Sequence, residues 1–427
     1  MTLPDGTRLT ALDDDSRLAD VLELDTWAFP TEHAVPDLLG LANPIPWGRA
    51  WGIEHEGASG LVGMYGAYSL EAFPVPGAET RCAWLTWVGV HPGHRRRGLL
   101  RNMIAHHFAE VRARGEALSV LNAAEAGIYG RFGYGHAAPA MALTVPRGAA
   151  LREVLGSAEL AAEFASWDPE AHGELIAAVH RDAGREPRGI GRPGWATWET
   201  PELRAVQEED PAAMRGGREP LRILVVRDAE GRAQGYARFR RSPDRSGGIS
   251  DGAVEIRDLV GLSPAAVHRM WSLLLDLDLT SRATIEKIPV DDPILHLLVD
   301  PRAARPVVRD LVWVRILDLP AALAERRYAA PVDLVLEVTD ALVAENAGRW
   351  RVVVDEAFGA ARVTRADAAA APDLSLDIEA LGAAHLGAVS LAALAAAGRV
   401  EARDPRALAA AAVAWSWPVM AGANWEF

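Results

Sequence analysis

Residues Trp87–Arg101 read WVGVHPGHRRRGLLR. An apolar, β-branched run from Leu85 to Val90 meets the turn His91-Pro92-Gly93, then Arg95-Arg96-Arg97, Gly98 and a periodic apolar pattern. That order predicts a strand, a turn and a helix start. The first amides of a helix lack intrahelical acceptors and carry the positive end of its dipole, so a diphosphate is the natural ligand. Gly98 lets a phosphate approach the backbone, and the three guanidiniums add positive charge. Taken alone, the same run also reads as a solvated basic turn leading into a surface helix.

Upstream, residues 8–40 read as a short strand and then helical turns, with Leu18, Val21, Leu22 and Leu24 near helical spacing. Trp51–Glu54 and Gly60–Leu70 alternate around the turn Glu56–Ser59, a hairpin signal, and Arg81–Val90 supplies a third strand. Downstream, Leu99, Leu100, Met103, Ile104, Phe108 and Val111 form one helical stripe that ends near Gly115. His106 and His107 are read as surface or edge-of-core residues beside it. Ala117–Asn122 then predicts a strand, followed by a short helix carrying Ile128–Tyr134.

The middle of the chain repeats this grammar. Leu221–Arg227 and Ala233–Arg240 form a hairpin, Val254–Leu262 a strand, and Ser263-Pro264 opens a helix with Val267, Met270, Trp271, Leu274 and Leu275 on one face. VGLSPAAVHRMWSLLL echoes VGVHPGHRRRGLLRNM without the arginines or the glycine, as expected of a duplicate that has lost its phosphate cradle. The loop Arg192–Trp198 either lines a shared cleft or packs in a core or interface. From about residue 310 the chain is alanine-rich. Strands are expected at Leu334–Val338, Arg351–Val354, Ala361–Val363 and Leu374–Ile378, and helices at Leu381–Leu386 and Pro405–Trp415.

The length of 427 residues implies several domains, and the 50% hydrophobic content gives each a core. A net charge of −14 argues against nucleic-acid binding and favours cationic partners. The single Cys82 excludes an internal disulfide framework and a cysteine-based zinc cluster, which points to a reducing cytoplasm. No secretory signal and no bilayer-spanning apolar run is read in the chain, so no membrane partner is expected. Lys287 is the sole lysine, which removes nearly all lysine-based mechanisms.

Arg95-Arg96-Arg97-Gly98-Leu99-Leu100 resembles the R/Q-x-x-G-x-G/A coenzyme A signature of the GCN5-related N-acetyltransferases (GNAT), with leucine in place of the second glycine. HRRRGLLR resembles in particular the enhanced intracellular survival (Eis) branch. Tyr129-Gly130-Arg131-Phe132-Gly133-Tyr134 resembles the Y-x-x-x-G-F/Y element of the same superfamily. Pro372–Ile378 with Leu381-Gly382 resembles the sterol-carrier-like domain of the Eis branch. The fold class implied is α+β: two tandem GNAT domains, at 1–148 and 149–308, then a sterol-carrier-like domain at 309–427.

The resemblance also implies a mechanism, an acetyl-coenzyme A dependent N-acetyltransferase that uses no metal. Val88, Gly89 and Val90 would pair with the pantetheine arm beside a strand bulge, for which Gly89 is the expected residue. Arg96, Arg97, Gly98, Leu99, Leu100 and Arg101 would hold the diphosphate, and Ala124 and Glu125, at the start of the next helix, would flank the thioester. Tyr129 would be the general acid, and Tyr134 a structural aromatic. The general base would be the α-carboxylate of Phe427. Asp25, Trp27 and Glu426 would attract a cationic amine, by resemblance an aminoglycoside, although Asp25 and Trp27 also suit a helix end with an aromatic staple. A protein lysine, a polyamine, or a non-catalytic role as a lipid or sterol binder are the alternatives. The expected assembly is a homohexamer.

Overall fold

The computed structural model describes residues 3–185, 189–242, 251–367 and 369–425. The first third contains β1 (Thr7–Leu12), α1 (Leu18–Ala28), α2 (Val35–Leu38), β2 (Ala50–His55), β3 (Leu61–Val75), β4 (Ala78–Val90), α3 (Leu99–Ala113), β5 (Leu118–Leu121) and β6 (Gly135–Pro146). β1 to β4 pair antiparallel in order, and β5 lies parallel to β4. A parallel neighbour needs a crossover, which α3 provides. Alternation along β4 sorts its side chains. Cys82 and Trp84 face one core, and Ala83 and Leu85 face another, built with Leu99, Met103, Ile104, Phe108 and Val111 of α3. Each buried Leu, Ile, Val, Met or Phe among them contributes roughly 2 kcal/mol before entropy is counted.

The middle third contains β7 (Ala161–Ser166), α4 (Pro169–Arg185), α5 (Pro201–Glu208), β8 (Arg222–Arg227), β9 (Ala233–Ser242), β10 (Gly252–Gly261), α6 (Pro264–Leu274), β11 (Thr280–Ile288), α7 (Ile294–Leu297) and β12 (Val307–Ile316). It repeats the parallel crossover with β10, α6 and β11. The N-terminus of α6 is closed by its own sequence: the Ser263 hydroxyl accepts from the Ala266 amide at 3.2 Å, and Pro264 occupies the first turn.

All twelve of these strands form one sheet, in the order β1-β2-β3-β4-β5-β12-β6-β11-β10-β9-β8-β7. β12, the last strand of the middle third, sits between β5 and β6, while β6 pairs with β11. The two units therefore close each other's sheets. The boundary expected at 308/309 falls inside β12, because strand alternation shows which face is buried and not which neighbour pairs.

The last third contains α8 (Leu319–Glu325), β13 (Val332–Thr339), β14 (Gly348–Val354), β15 (Arg362–Arg365), β16 (Leu374–Asp377), α9 (Ile378–Ala384), α10 (Leu391–Ala396), β17 (Val400–Ala402) and α11 (Pro405–Trp415), with a sheet ordered β15-β14-β13-β16-β17. α9 lies directly on the large sheet. A Cβ on Gly135 would stand 2.1 Å from the Glu379 carbonyl oxygen, and one on Gly382 would stand 2.5 Å from that of Val314. Only glycine permits this backbone contact. Nearby, Arg315 of β12 holds Asp340 at 2.7 Å with both side chains at 1% exposure or less, which fixes the loop after β13 against β12, the middle-third strand that lies beside β5. Among the described residues no helix is long and apolar enough to cross a membrane.

Candidate active site

β4 and β5 pair only through Cys82–Leu118, Ala83–Ser119 and Trp84–Val120 among the described residues. The register with β3 slips between Gly66–Thr86 and Met64–Gly89, leaving Trp87 and Val88 in a bulge. Trp87 carries it, with a φ of 52°. The expectation that Gly89 is the bulge residue is thereby corrected. Glycine is the default for positive φ, but here packing decides: the Trp87 indole donates to the Pro44 carbonyl at 3.3 Å and packs beside the Leu12, Val21 and Ile45 cluster. Holding a bulky residue there costs about 1–3 kcal/mol. Gly89 pairs with Met64 and lets α1 close in, since a Cβ there would lie 3.1 Å from that of Ala28.

Past the bulge the strands part around a cavity of about 930 Å³. Val88, Gly89 and Val90 form one wall, and Ala124, Glu125 and Tyr129 another. The turn into α3 forms the end. Arg96 and Gly98 are both left-handed, with φ of 62° and 83°. α3 has no side-chain cap, and among the described residues the amides of 96–101 have no acceptor; the first bond is Asn102 N to Gly98 O at 3.1 Å. Such a run of amides beside Arg95, Arg96 and Arg101 forms a concavity for an anion, and Glu125 is the one acid among its described lining residues. Gly98, Leu99, Leu100 and Arg101 line the cavity as the motif implies; Arg97 does not.

Ala124 and Glu125 also line it, but no α-helix starts there. Turns and bends lead to a single 3₁₀ turn at Gly130–Phe132, closed by Gly133 at a φ of 81°. Gly127, Gly130 and Gly133 weaken any helix in this segment.

Tyr129 stands where this cavity meets a smaller one of about 300 Å³, formed by Thr86, Trp87, Asn122 and Ala123. It is 9% exposed, and its hydroxyl has no partner among the described residues. Burial, and then the Glu125 charge, push that hydroxyl up to about 12, so it holds its proton at neutral pH. Tyr134 is different. Its hydroxyl lies 2.7 Å from Ser119 Oγ, itself 2.8 Å from His107 Nε2, and its ring stands edge-on to Tyr129 at 5.9 Å. His107 is thus core rather than surface or edge, at 1% exposure. It lies four residues from both Met103 and Val111, on the apolar stripe itself. Burial pushes it down to about 3, so it is neutral. His106 is half-buried, with Nδ1 2.6 Å from the Tyr65 hydroxyl.

Burial pushes Asp25 up to about 6. Its carbonyl accepts from the amide of Phe29, which lines both cavities, whereas Asp25 itself lines neither. Trp27 is 54% exposed on the opposite side of α1, with its ring 5.0 Å from that of His91. Glu426 and Phe427 lie outside the described residues. The segment before them is docked: Gly422 N donates to Pro193 O at 3.0 Å, and Trp425 Nε1 to Ala196 O at 2.8 Å.

His94 and Arg95 also line the cavity; both stand in the HRRRGLLR run, yet the motif did not count them among the residues holding the diphosphate. Sequence reasoning missed Leu342. Leu342 arrives from the loop after β13, held by Arg315–Asp340 and by a 3.0 Å pair between Glu345 and Arg112, which no local pattern announces.

The cavity fits a diphosphate joined to an amide-bearing arm. Free amides and guanidiniums sit at one end and unpaired strand backbone runs along the wall; in the adjoining smaller cavity Asn122 Oδ1 is buried without a partner among the described residues. Comparison with known proteins gives three domain matches: an acetyltransferase (GNAT) domain at residues 13–137, another at 189–316, and a sterol carrier protein domain at 319–420. An uncharacterized N-acetyltransferase of Streptomyces coelicolor is 40% identical over 359 residues, covering 83% of each chain. The N-acetyltransferase Eis of Mycobacterium tuberculosis is 36% identical over 352 residues, 81% of this chain and 80% of that one. The crystal structure of Eis1 from Mycobacterium abscessus superposes with a TM-score of 0.80 at 29% identity, covering 99% of this chain and 100% of that one.

Proposed function

The chain belongs to the Eis-type N-acetyltransferases of the GNAT superfamily, and from that membership we propose that it acetylates a cationic amine, an aminoglycoside, at the expense of acetyl-coenzyme A. The observation that carries this reading is the placement of Tyr129 where two cavities meet, beside the strand bulge and in line with the free amides of α3.

When bound, the cosubstrate supplies the acetyl group as an activated thioester. The chain's own part begins with the amides of 96–101 and the guanidiniums of Arg95, Arg96 and Arg101, which bind the diphosphate. The bulge at Trp87 turns strand backbone toward the gap between β4 and β5, available to a pantetheine amide. Tyr129, protonated and unpartnered, donates its proton to the departing sulfur. The Phe427 α-carboxylate takes a proton from the amine, and Glu426 and Asp25 attract its positive charge. Support for the carboxylate is indirect: Trp425, two residues earlier, is buried against Trp84, where β4 and β5 begin to part. The homohexamer and the cytoplasmic setting belong to the same proposal.

Thiol release from acetyl-coenzyme A, measured with aminoglycosides, polyamines and lysine peptides on wild-type and Tyr129→Phe proteins, tests it. Turnover with every aminoglycoside absent would remove the aminoglycoside from the proposal. Equal rates for the two proteins would remove Tyr129 as the acid. Light scattering on the purified chain reports the assembly.

A further inference from the structure

A third cavity, of about 940 Å³, shares no lining residue with the two at Tyr129. It opens where the β3–β4 hairpin tip, α4 with the loop after it, and the last third meet. We propose that it is a second ligand site, for a planar aromatic molecule bearing a carboxylate, sulfonate or phosphate.

The walls supply the aromatic half of this claim. Trp195, Trp198, Phe358 and Trp417 all line the cavity; the three indoles, each 6% exposed, back it as an apolar floor, and the half-exposed Phe358 ring is the face open to a ring system. The two indoles after α4 are held firmly. His180 stacks on Trp195 at 4.8 Å and meets Trp198 at 4.3 Å, and the Trp195 indole donates to the His180 carbonyl at 2.9 Å. A preformed aromatic wall spares a ligand the entropy of ordering it.

Charge supplies the other half. Five arginines line the cavity, Arg181, Arg185, Arg192, Arg204 and Arg327, against the two acids Glu79 and Glu199. This excess of positive charge stands out in a chain of net charge −14. Most of the charges are already matched. Arg192 holds Asp291 at 2.6 Å, Arg204 holds Glu174 at 2.6 Å, and Arg185 lies 3.4 Å from Glu79. Glu199 accepts from the Glu71 amide at 3.0 Å. Arg181 and Arg327 remain without an anionic partner among the described residues. A planar guanidinium without a partner beside an indole wall is the arrangement that recognises an aromatic anion.

Behind the wall lie unmatched polar atoms. His180 Nδ1 and Trp198 Nε1 are buried without a hydrogen-bond partner. His180 Nε2 lies 3.1 Å from the Ala196 carbonyl and must carry its proton, so Nδ1 is a bare acceptor and Trp198 Nε1–H a bare donor. Both atoms are sealed from solvent, so a small shift of the wall is needed to bring them to a ligand or water.

The test titrates the full-length protein with 8-anilinonaphthalene-1-sulfonate, read by fluorescence, in the presence and absence of saturating coenzyme A. Neutral N-phenyl-1-naphthylamine serves as the uncharged control. Saturable binding of one dye per chain is expected, undisturbed by coenzyme A. Arg181→Ala should weaken sulfonate binding about tenfold while leaving the neutral dye unchanged, and Arg181→Ala/Arg327→Ala should weaken it further. Arg181 is exposed, so its single variant reports even if the double variant misfolds. Displacement of the dye by coenzyme A, or equal binding in wild type and Arg181→Ala, overturns the proposal.

Discussion

The Trp425 ring lies 5.2 Å from that of Trp84, the last residue of β4 that pairs with β5. The end of the described chain is thereby anchored where the first third opens its cavity. Trp198, with its ring 6.0 Å from Trp425, completes the socket from the middle third. Trp425→Leu removes the ring contacts and the bond to Ala196 O. Since small misplacements of reacting groups are costly, kcat is expected to fall about tenfold or more, while the coenzyme Kd stays within about twofold of wild type. Steady-state kinetics with isothermal titration separates the two quantities, and an unchanged kcat would detach this socket from catalysis.

Tyr129→Phe deletes the proposed proton donor and little else, because its hydroxyl has no partner among the described residues. A fall in kcat of about 10²-fold or more is expected, with coenzyme affinity and melting temperature close to wild type. The wild-type hydroxyl is pushed up to about 12, so no alkaline fall in kcat assignable to Tyr129 is expected until pH comes within about one unit of that value. Tyr134→Phe should act on stability instead. It breaks the buried link to Ser119, whose hydroxyl then keeps His107 Nε2 as its one partner, at a cost of about 1–3 kcal/mol. A Tyr134→Phe protein that is fully stable but inactive would reverse the two roles.

Much of the fold was legible because its signals are local. β8 to β11 and α6 follow the alternation, the turn residues and the Ser263-Pro264 helix start. α11 (Pro405–Trp415) matches its expected span to the residue. The motif likewise placed Gly98 and the start of α3. Three features were out of reach for a common reason. The bulge sits on Trp87 because tertiary packing of its indole outweighs backbone preference. β12 closes the first third's sheet because pairing is a long-range choice. Leu342 reaches the Tyr129 cavity through the Arg315–Asp340 pair, whose partners belong to different thirds of the chain. The misplacement of His107 was avoidable, since its spacing from Met103 and Val111 already put it inside.

Gly98→Ala tests the diphosphate turn. There is room for the methyl, whose only neighbour within 4 Å is Asn102 Nδ2 at 3.9 Å, so any effect comes from the φ of 83° and from the methyl standing among the free amides. A stability loss of about 1 kcal/mol and a rise in coenzyme Kd of about tenfold are expected. Arg97→Ala is the matched control, because Arg97 does not line the cavity. Its Kd should move by less than about threefold, through long-range charge alone. Equal losses in the two variants would mean that the turn acts by overall charge and not by its amides.

Asp25→Asn separates burial from recognition. Burial raises the Asp25 carboxyl from 3.8 to about 6 in the folded chain, so between those values the folded state binds more protons than the unfolded one. Stability from this group is therefore present below 3.8 and lost as pH rises through about 6, a loss of no more than about 3 kcal/mol. Asparagine removes the titration. The variant should melt with wild type near pH 4 and several degrees above it near pH 7, by about the ratio of that free energy to the unfolding entropy. If the buried carboxylate is retained because it attracts an ammonium, the same variant should raise KM for cationic acceptors about tenfold and leave the coenzyme Kd alone. A stability gain with unchanged KM for every acceptor would leave Asp25 outside the acceptor site, and a variant less stable than wild type at neutral pH would contradict the raised carboxyl itself.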